Sequence, residues 1–175
     1  MPFTPYHMGP AFPVKGASGA RFSLLLYGYT QVLMDIEALY RILNHEPELH
    51  GFSHTFIGAT LIGAVALVTG KPLVEFWLKC WNRLINITHA EQFLVVEKIH
   101  WKAALSTVAI GSWLHIVLDA IMHHDVHPFA PFSEANPFLR IIDVRELHLF
   151  CITTALFGLA WIGVASLLPV RRPEN

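Results

Sequence analysis

Apolar residues fall into four long runs separated by polar or proline-rich segments. Residues 21–43, 53–70, 103–122 and 147–168 are each of roughly the length, about 20 residues, that a helix needs to cross a bilayer. The pattern predicts an all-α fold, a polytopic membrane helical bundle in a single integral domain over residues 1–175. Four spanning helices are expected, with a short N-terminal re-entrant helix and an interfacial amphipathic connector at 71–102.

The segments between the runs carry their own signals. The opening stretch MPFTPYHMGPAFPVKG lacks the long apolar core of a signal peptide, so it is expected to stay in the mature chain. It reads as a short helix beginning near Thr4, ended by Pro10 or Pro13, which dips into the membrane and folds back near Lys15 to Arg21. Ser53 is placed as the N-cap of the second span, with His54 in its first turn, and Gly70-Lys71-Pro72 as its stop. In the connector, bulky apolar residues alternate with Glu75, Lys79 and Arg83 beside Trp77 and Trp81, the signature of a helix lying at headgroup level. Glu75 and Lys79 are spaced as a solvated i,i+4 pair, and THAEQFLVVEKIHWK reads as a continuation of the same character up to Trp101.

Composition strengthens the membrane reading. Hydrophobic residues make up 54% and charged residues 14%, against about 25% charged in soluble domains. The net charge of −1 leaves no basic footprint for nucleic acid. Cys80 and Cys151 are far apart and form no C-x-x-C pair, so a thiolate zinc site and a disulfide framework are both unsupported. The oddity is eleven histidines. Any metal would be held by His, Asp and Glu.

The candidate chemistry centres on GSWLHIVLDAIMHHDVHP, residues 111–128. His115, Asp119 and His123 recur every fourth residue, which on a helix places them on one face. Ionisable groups in an apolar span need partners, because each is costly near a bilayer centre. They form either a hydrogen-bonded core network or a ligand set. In the first span Gln31 and Asp35 share a face, while Glu37 is spaced to pair with Arg41, as an interfacial ion pair or a catalytic acid. The loop after the third span offers His124, Asp125 and His127, as extra ligands or simply as loop polarity. His89 and His100 read as surface histidines, and His7, isolated near the N-terminus, reads the same way on its own. The fourth span contains no acid or base and reads as scaffold.

Lysine and arginine cluster in the connector and in the tail at Arg171 and Arg172, so these are expected on the cytoplasmic side. The opposite face then collects the end of the first span with Asp35, the start of the second with His50 and His54, the end of the third with His115 and Asp119, and the loop. This segregation favours a shared site over scattered core polarity.

The order of these motifs resembles the YdjM-like group of membrane-bound, metal-dependent hydrolases of bacterial and archaeal inner membranes. The matching residues are Phe3-Thr4-Pro5-Tyr6-His7, Met34-Asp35-Ile36-Glu37, His50-Gly51-Phe52-Ser53-His54-Thr55, His115-Ile116-Val117-Leu118-Asp119-Ala120 and Pro131-Phe132-Ser133. Met34 stands where the group often has Pro, and Leu49-His50-Gly51 where it often has His-Arg-Gly. The resemblance implies a metal site at His7, Asp35, His54, His115 and Asp119, and hydrolase activity. Imidazole and carboxylate without sulfur suit Zn first and Mn or Fe next, as one or two ions. Glu37 and His50 are the candidate catalytic acid or base groups. The expected partners are the lipid bilayer and a phosphate-ester or lipid-like substrate. A non-catalytic metal-binding or metal-transport membrane protein is the alternative, and a bis-histidine haem protein is disfavoured by the accompanying aspartates.

Overall fold

The computed structural model describes residues 5–90 and 93–167. Phe3, Thr4 and the arginines of the tail lie outside the described residues. Among the described residues there is no strand. Six helices follow one another: α1 (Ala11–Ser18), α2 (Leu24–Leu43), α3 (Phe56–Val65), α4 (Lys71–Ile87), α5 (Trp101–Met122) and α6 (Val144–Leu167). Short 3₁₀ turns occupy Pro5–Met8, Gly19–Arg21 and Phe52–His54.

Among the described residues, three helices are long and apolar enough to cross a membrane: Phe56–Ile87, Trp101–Met122 and Val144–Leu167. The first of these is α3 and α4 joined. α2 has a span's length, 20 residues, but Asp35, Glu37 and Arg41 keep it out of the apolar set. Along α6 large side chains such as Leu156 and Phe157 are more than 60% exposed. Apolar surface on that scale suits a setting other than water, and with the length of the helix it suggests a membrane protein.

α5 is the axis of the bundle, packed against α2 on one side and α3 on the other. Small residues on its inner faces, Ala103, Ala104, Thr107, Gly111 and Ser112, are buried and let the helices approach closely. Leu26, Ala66, Val74, Ala104 and Val108 form the core at the end of the bundle remote from His115 and Asp119. Leu118, Ile121, Leu147 and Cys151 join α5 to α6.

Five local expectations are corrected. The N-terminal prolines begin a helix instead of ending one: Pro10 is the N-cap of α1 and Pro13 lies in its first turn, where no intrahelical N–H bond is lost. The fold-back near Lys15 to Arg21 is present, held by the Lys15 ammonium donating to the carbonyls of Gly19 and Phe22. Gly70 and Pro72 do not stop the second run. A π turn at Ala66–Gly70 leads directly into α4, so Pro72 again sits at a helix start. Gly70 is needed for packing, since a Cβ there would collide with the Tyr29 ring of α2.

The second half of the connector is not helical over residues 94–100. It runs along α4, where Asn82 exchanges hydrogen bonds with Val95. Glu75 pairs with Lys71 at 2.7 Å instead of with Lys79, and accepts the Ile99 N–H. Finally, Thr55 caps α3 by accepting the Gly58 N–H at 2.9 Å. Ser53 and His54 therefore lie in the 3₁₀ turn before the helix rather than in its first turn.

Candidate metal centre

His115 and Asp119 occupy one face of α5, as their spacing requires, and α2 brings Asp35 to the same place. The 3₁₀ turn before α3 adds His54. Ligand atoms of Asp35, His54, His115 and Asp119 all lie within 4.8 Å of one another, and all four residues are buried. His115 Nε2 is 3.0 Å from Asp119 Oδ2, 3.5 Å from Asp35 Oδ1 and 3.3 Å from His54 Nε2. His54 Nε2 is 3.3 Å from Asp119 Oδ2. The N-terminal segment completes the group: His7 is 3% exposed and its Nε2 lies 3.2 Å from Asp119 Oδ1. The surface reading of His7 taken alone is thus corrected, because the Pro5–Met8 turn is folded in against the bundle. Tyr27 fixes that turn by donating its hydroxyl to the His7 carbonyl at 2.9 Å.

The groups behind these side chains decide what the cluster can accept. Gln31 donates its amide N–H to the Gly111 carbonyl at 3.0 Å, so its Oε1 is the atom facing His115 Nδ1 at 2.9 Å. A carbonyl can only accept, and the amide orientation follows from that. His115 therefore carries a proton on Nδ1. In the neutral ring, Nε2 then presents a bare lone pair towards two carboxylates. Such an arrangement calls for a cation between them, either a second proton on the imidazole or a metal ion. His54 is held similarly, with Nδ1 2.9 Å from the Ser53 hydroxyl.

Glu37 is not among the converging groups. Its Oε2 accepts the Ser53 N–H at 2.7 Å and its Oε1 lies 3.1 Å from Arg41 Nη2. It anchors the turn that carries His54. Gly51 makes this possible, since a Cβ there would strike both the Glu37 carboxylate and the Arg41 guanidinium.

A second group adjoins the first. Ligand atoms of His50, His123 and Asp125 lie within 4.8 Å of one another. His50 Nδ1 is 3.0 Å from Asp125 Oδ1, and Asp125 Oδ2 accepts the N–H groups of Leu49 and His50. Burial raises the Asp125 carboxyl, but these hydrogen bonds outweigh it and hold the group well below the usual carboxylate range. Burial also pushes the imidazoles of His50 and His123 down, His123 to about 4. The His50 ring meets that of His54 edge-on and that of His123 at a tilt, with centroids 4.6 and 4.5 Å away. An opening of about 280 Å³ leads to this group, lined by His50, His123, His124, Asp125 and Arg140 among others.

Of the ionisable residues in the HDVH loop, Asp125 joins the cluster and the two histidines do not. His124 has an 86% exposed side chain, and His127 Nδ1 bonds to the Glu134 carbonyl. Sequence spacing had no means of finding the Asp125–His50 pair, 75 residues apart, nor the roles of Gln31 and Ser53 behind the histidines. The chain matches no family model, no curated protein and no solved structure. The class defined by fold and site is a helical bundle with membrane-length helices and a buried His/Asp cluster able to hold a divalent ion.

Proposed function

We propose that the chain is a membrane-embedded, metal-dependent hydrolase of the YdjM-like kind, acting on a phosphate ester or lipid-like substrate. One observation carries the reading: Asp35, His54, His115 and Asp119 converge as buried acceptors, with the outward proton of His115 already committed to Gln31. A donor set of imidazole and carboxylate without sulfur fits Zn, Mn or Fe, and Zn is the first choice. An ion held there supplies Lewis-acid activation of water and offsets charge developing on a phosphoryl or carbonyl oxygen.

The rest of the work falls to side chains. His50, backed by Asp125, stands at the opening and is the group suited to accept or return a proton. Arg140 lines the same opening and suits an anionic substrate group. Glu37 is a positioning residue in this reading, because both its oxygens are engaged in holding the Ser53–His54 turn. The site is assigned to the extracytoplasmic face of a multi-pass inner-membrane protein, on the lysine and arginine content of the connector.

The test is metal analysis of the protein purified in detergent, joined to hydrolysis of p-nitrophenyl phosphate and of a phosphatidic acid in mixed micelles. The expected result is bound divalent metal and hydrolysis that chelation abolishes and Zn2+ restores. Bound metal with no hydrolysis of either substrate would replace this reading with the non-catalytic metal-binding one.

A further inference from the structure

Asp119 divides its two oxygens between different partners. Oδ2 faces His54 Nε2 at 3.3 Å and His115 Nε2 at 3.0 Å. Oδ1 faces His7 Nε2 at 3.2 Å and His123 Nε2 at 3.9 Å. A carboxylate that serves one ion and one hydrogen-bond network has no need of two imidazoles on each oxygen. His7 gives a second, independent sign. It is 3% exposed, yet among the described residues its Nδ1 has no hydrogen-bond partner and its Nε2 meets the Asp119 carboxylate outside hydrogen-bond geometry. A buried imidazole nitrogen left in that state has lost its solvation without return, unless a ligand takes it up.

The geometry points to a second divalent-ion position on the His7 and His123 side of Asp119, with His50 as a further ligand and Asp119 bridging the two ions. It rests on the proposed metal reading of the first cluster and extends it to a dinuclear centre. With a second ion His50 serves as a ligand in place of the proton-transfer role it has beside a single ion: Asp125 occupies its Nδ1 and leaves Nε2 for the ion, the usual division of labour in carboxylate–histidine–metal arrangements. The outer position lies at the opening lined by His50, His123 and Arg140, so it is the one a substrate meets first. Two ions side by side are the arrangement that clamps both the attacking and the leaving oxygen of a phosphoryl group. That chemistry suits a phosphate ester.

The full-length protein in detergent, stripped with chelator, reloaded with Mn2+ and desalted, provides the test. About two Mn2+ per chain are expected, with an exchange-coupled EPR signal, since a bridging carboxylate couples neighbouring Mn2+ ions. His123→Ala should fall to about one Mn2+ per chain and lose the coupling. Its side chain is 29% exposed beyond the end of α5, so the core is spared. His50→Ala serves the same purpose should His123→Ala fail to fold. One Mn2+ per wild-type chain, or an unchanged count and signal in the folded variant, overturns the second position and leaves the first standing. No bound Mn2+ in the wild-type protein overturns both.

Discussion

Asp125 holds His50 from below: one carboxylate oxygen lies 3.0 Å from the imidazole Nδ1, and the other accepts the backbone N–H groups of Leu49 and His50. The loop after α5 is thereby tied to the loop before α3. Asp125→Ala leaves these donors without an acceptor, at about 1–3 kcal/mol for each one that stays buried. Asp125→Asn keeps one acceptor oxygen. Thermal unfolding should rank wild type above Asp125→Asn above Asp125→Ala. Equal melting temperatures for the two variants would show that the backbone donors find water instead.

Gln31 orients His115 rather than binding an ion. Gln31→Leu removes the acceptor of the Nδ1 proton, and the loss of such an outer partner typically weakens metal binding about 10–100-fold. Gln31→Glu restores an acceptor and should recover most of the affinity. Competition with a chromophoric chelator measures both. Undiminished affinity in Gln31→Leu would mean that His115 is fixed by packing alone.

Asp119 separates the metal reading from a proton-shared network. Asp119→Asn retains a hydrogen-bonding amide but is a far poorer ligand for a divalent ion. The expected variant is folded, depleted of metal and without hydrolysis. A full complement of metal in purified Asp119→Asn would favour the network.

Glu37 is expected to act on the fold before it acts on chemistry. Glu37→Gln keeps an acceptor for the Ser53 N–H and should preserve metal content and the pH profile of hydrolysis. Were Glu37 a catalytic base, its loss would remove the acid-side limb of that profile. Glu37→Ala should lower the melting temperature, as the turn bearing His54 loses its anchor.

The orientation rests on charge placement and can be read by labelling. In a background without native cysteines, Ser133→Cys should react with an impermeant maleimide in intact cells, and Thr88→Cys only after permeabilisation. The reverse pattern would put the metal cluster on the cytoplasmic side.

Local periodicity was enough to place the long helices α2, α5 and α6 and the face of α5 that carries His115 and Asp119, because a helix places residues four apart together whatever surrounds it. Three of the four apolar runs likewise announced helices long and apolar enough to cross a membrane, while the run at 21–43 gave a helix of that length whose charges keep it out of the set. The same local rules misjudged proline and glycine. At Pro13 and Pro72 the ring falls in a first helical turn, where it costs little, and Gly70 answers to the Tyr29 ring of a neighbouring helix. Packing between helices decided what no spacing encodes. It buried His7, brought Asp35 across from α2, closed the Asp125–His50 pair over 75 residues, and turned Glu37 towards Ser53. Each of these depends on where one helix or loop stops against another, a relationship that belongs to the packed bundle and to no single stretch of chain.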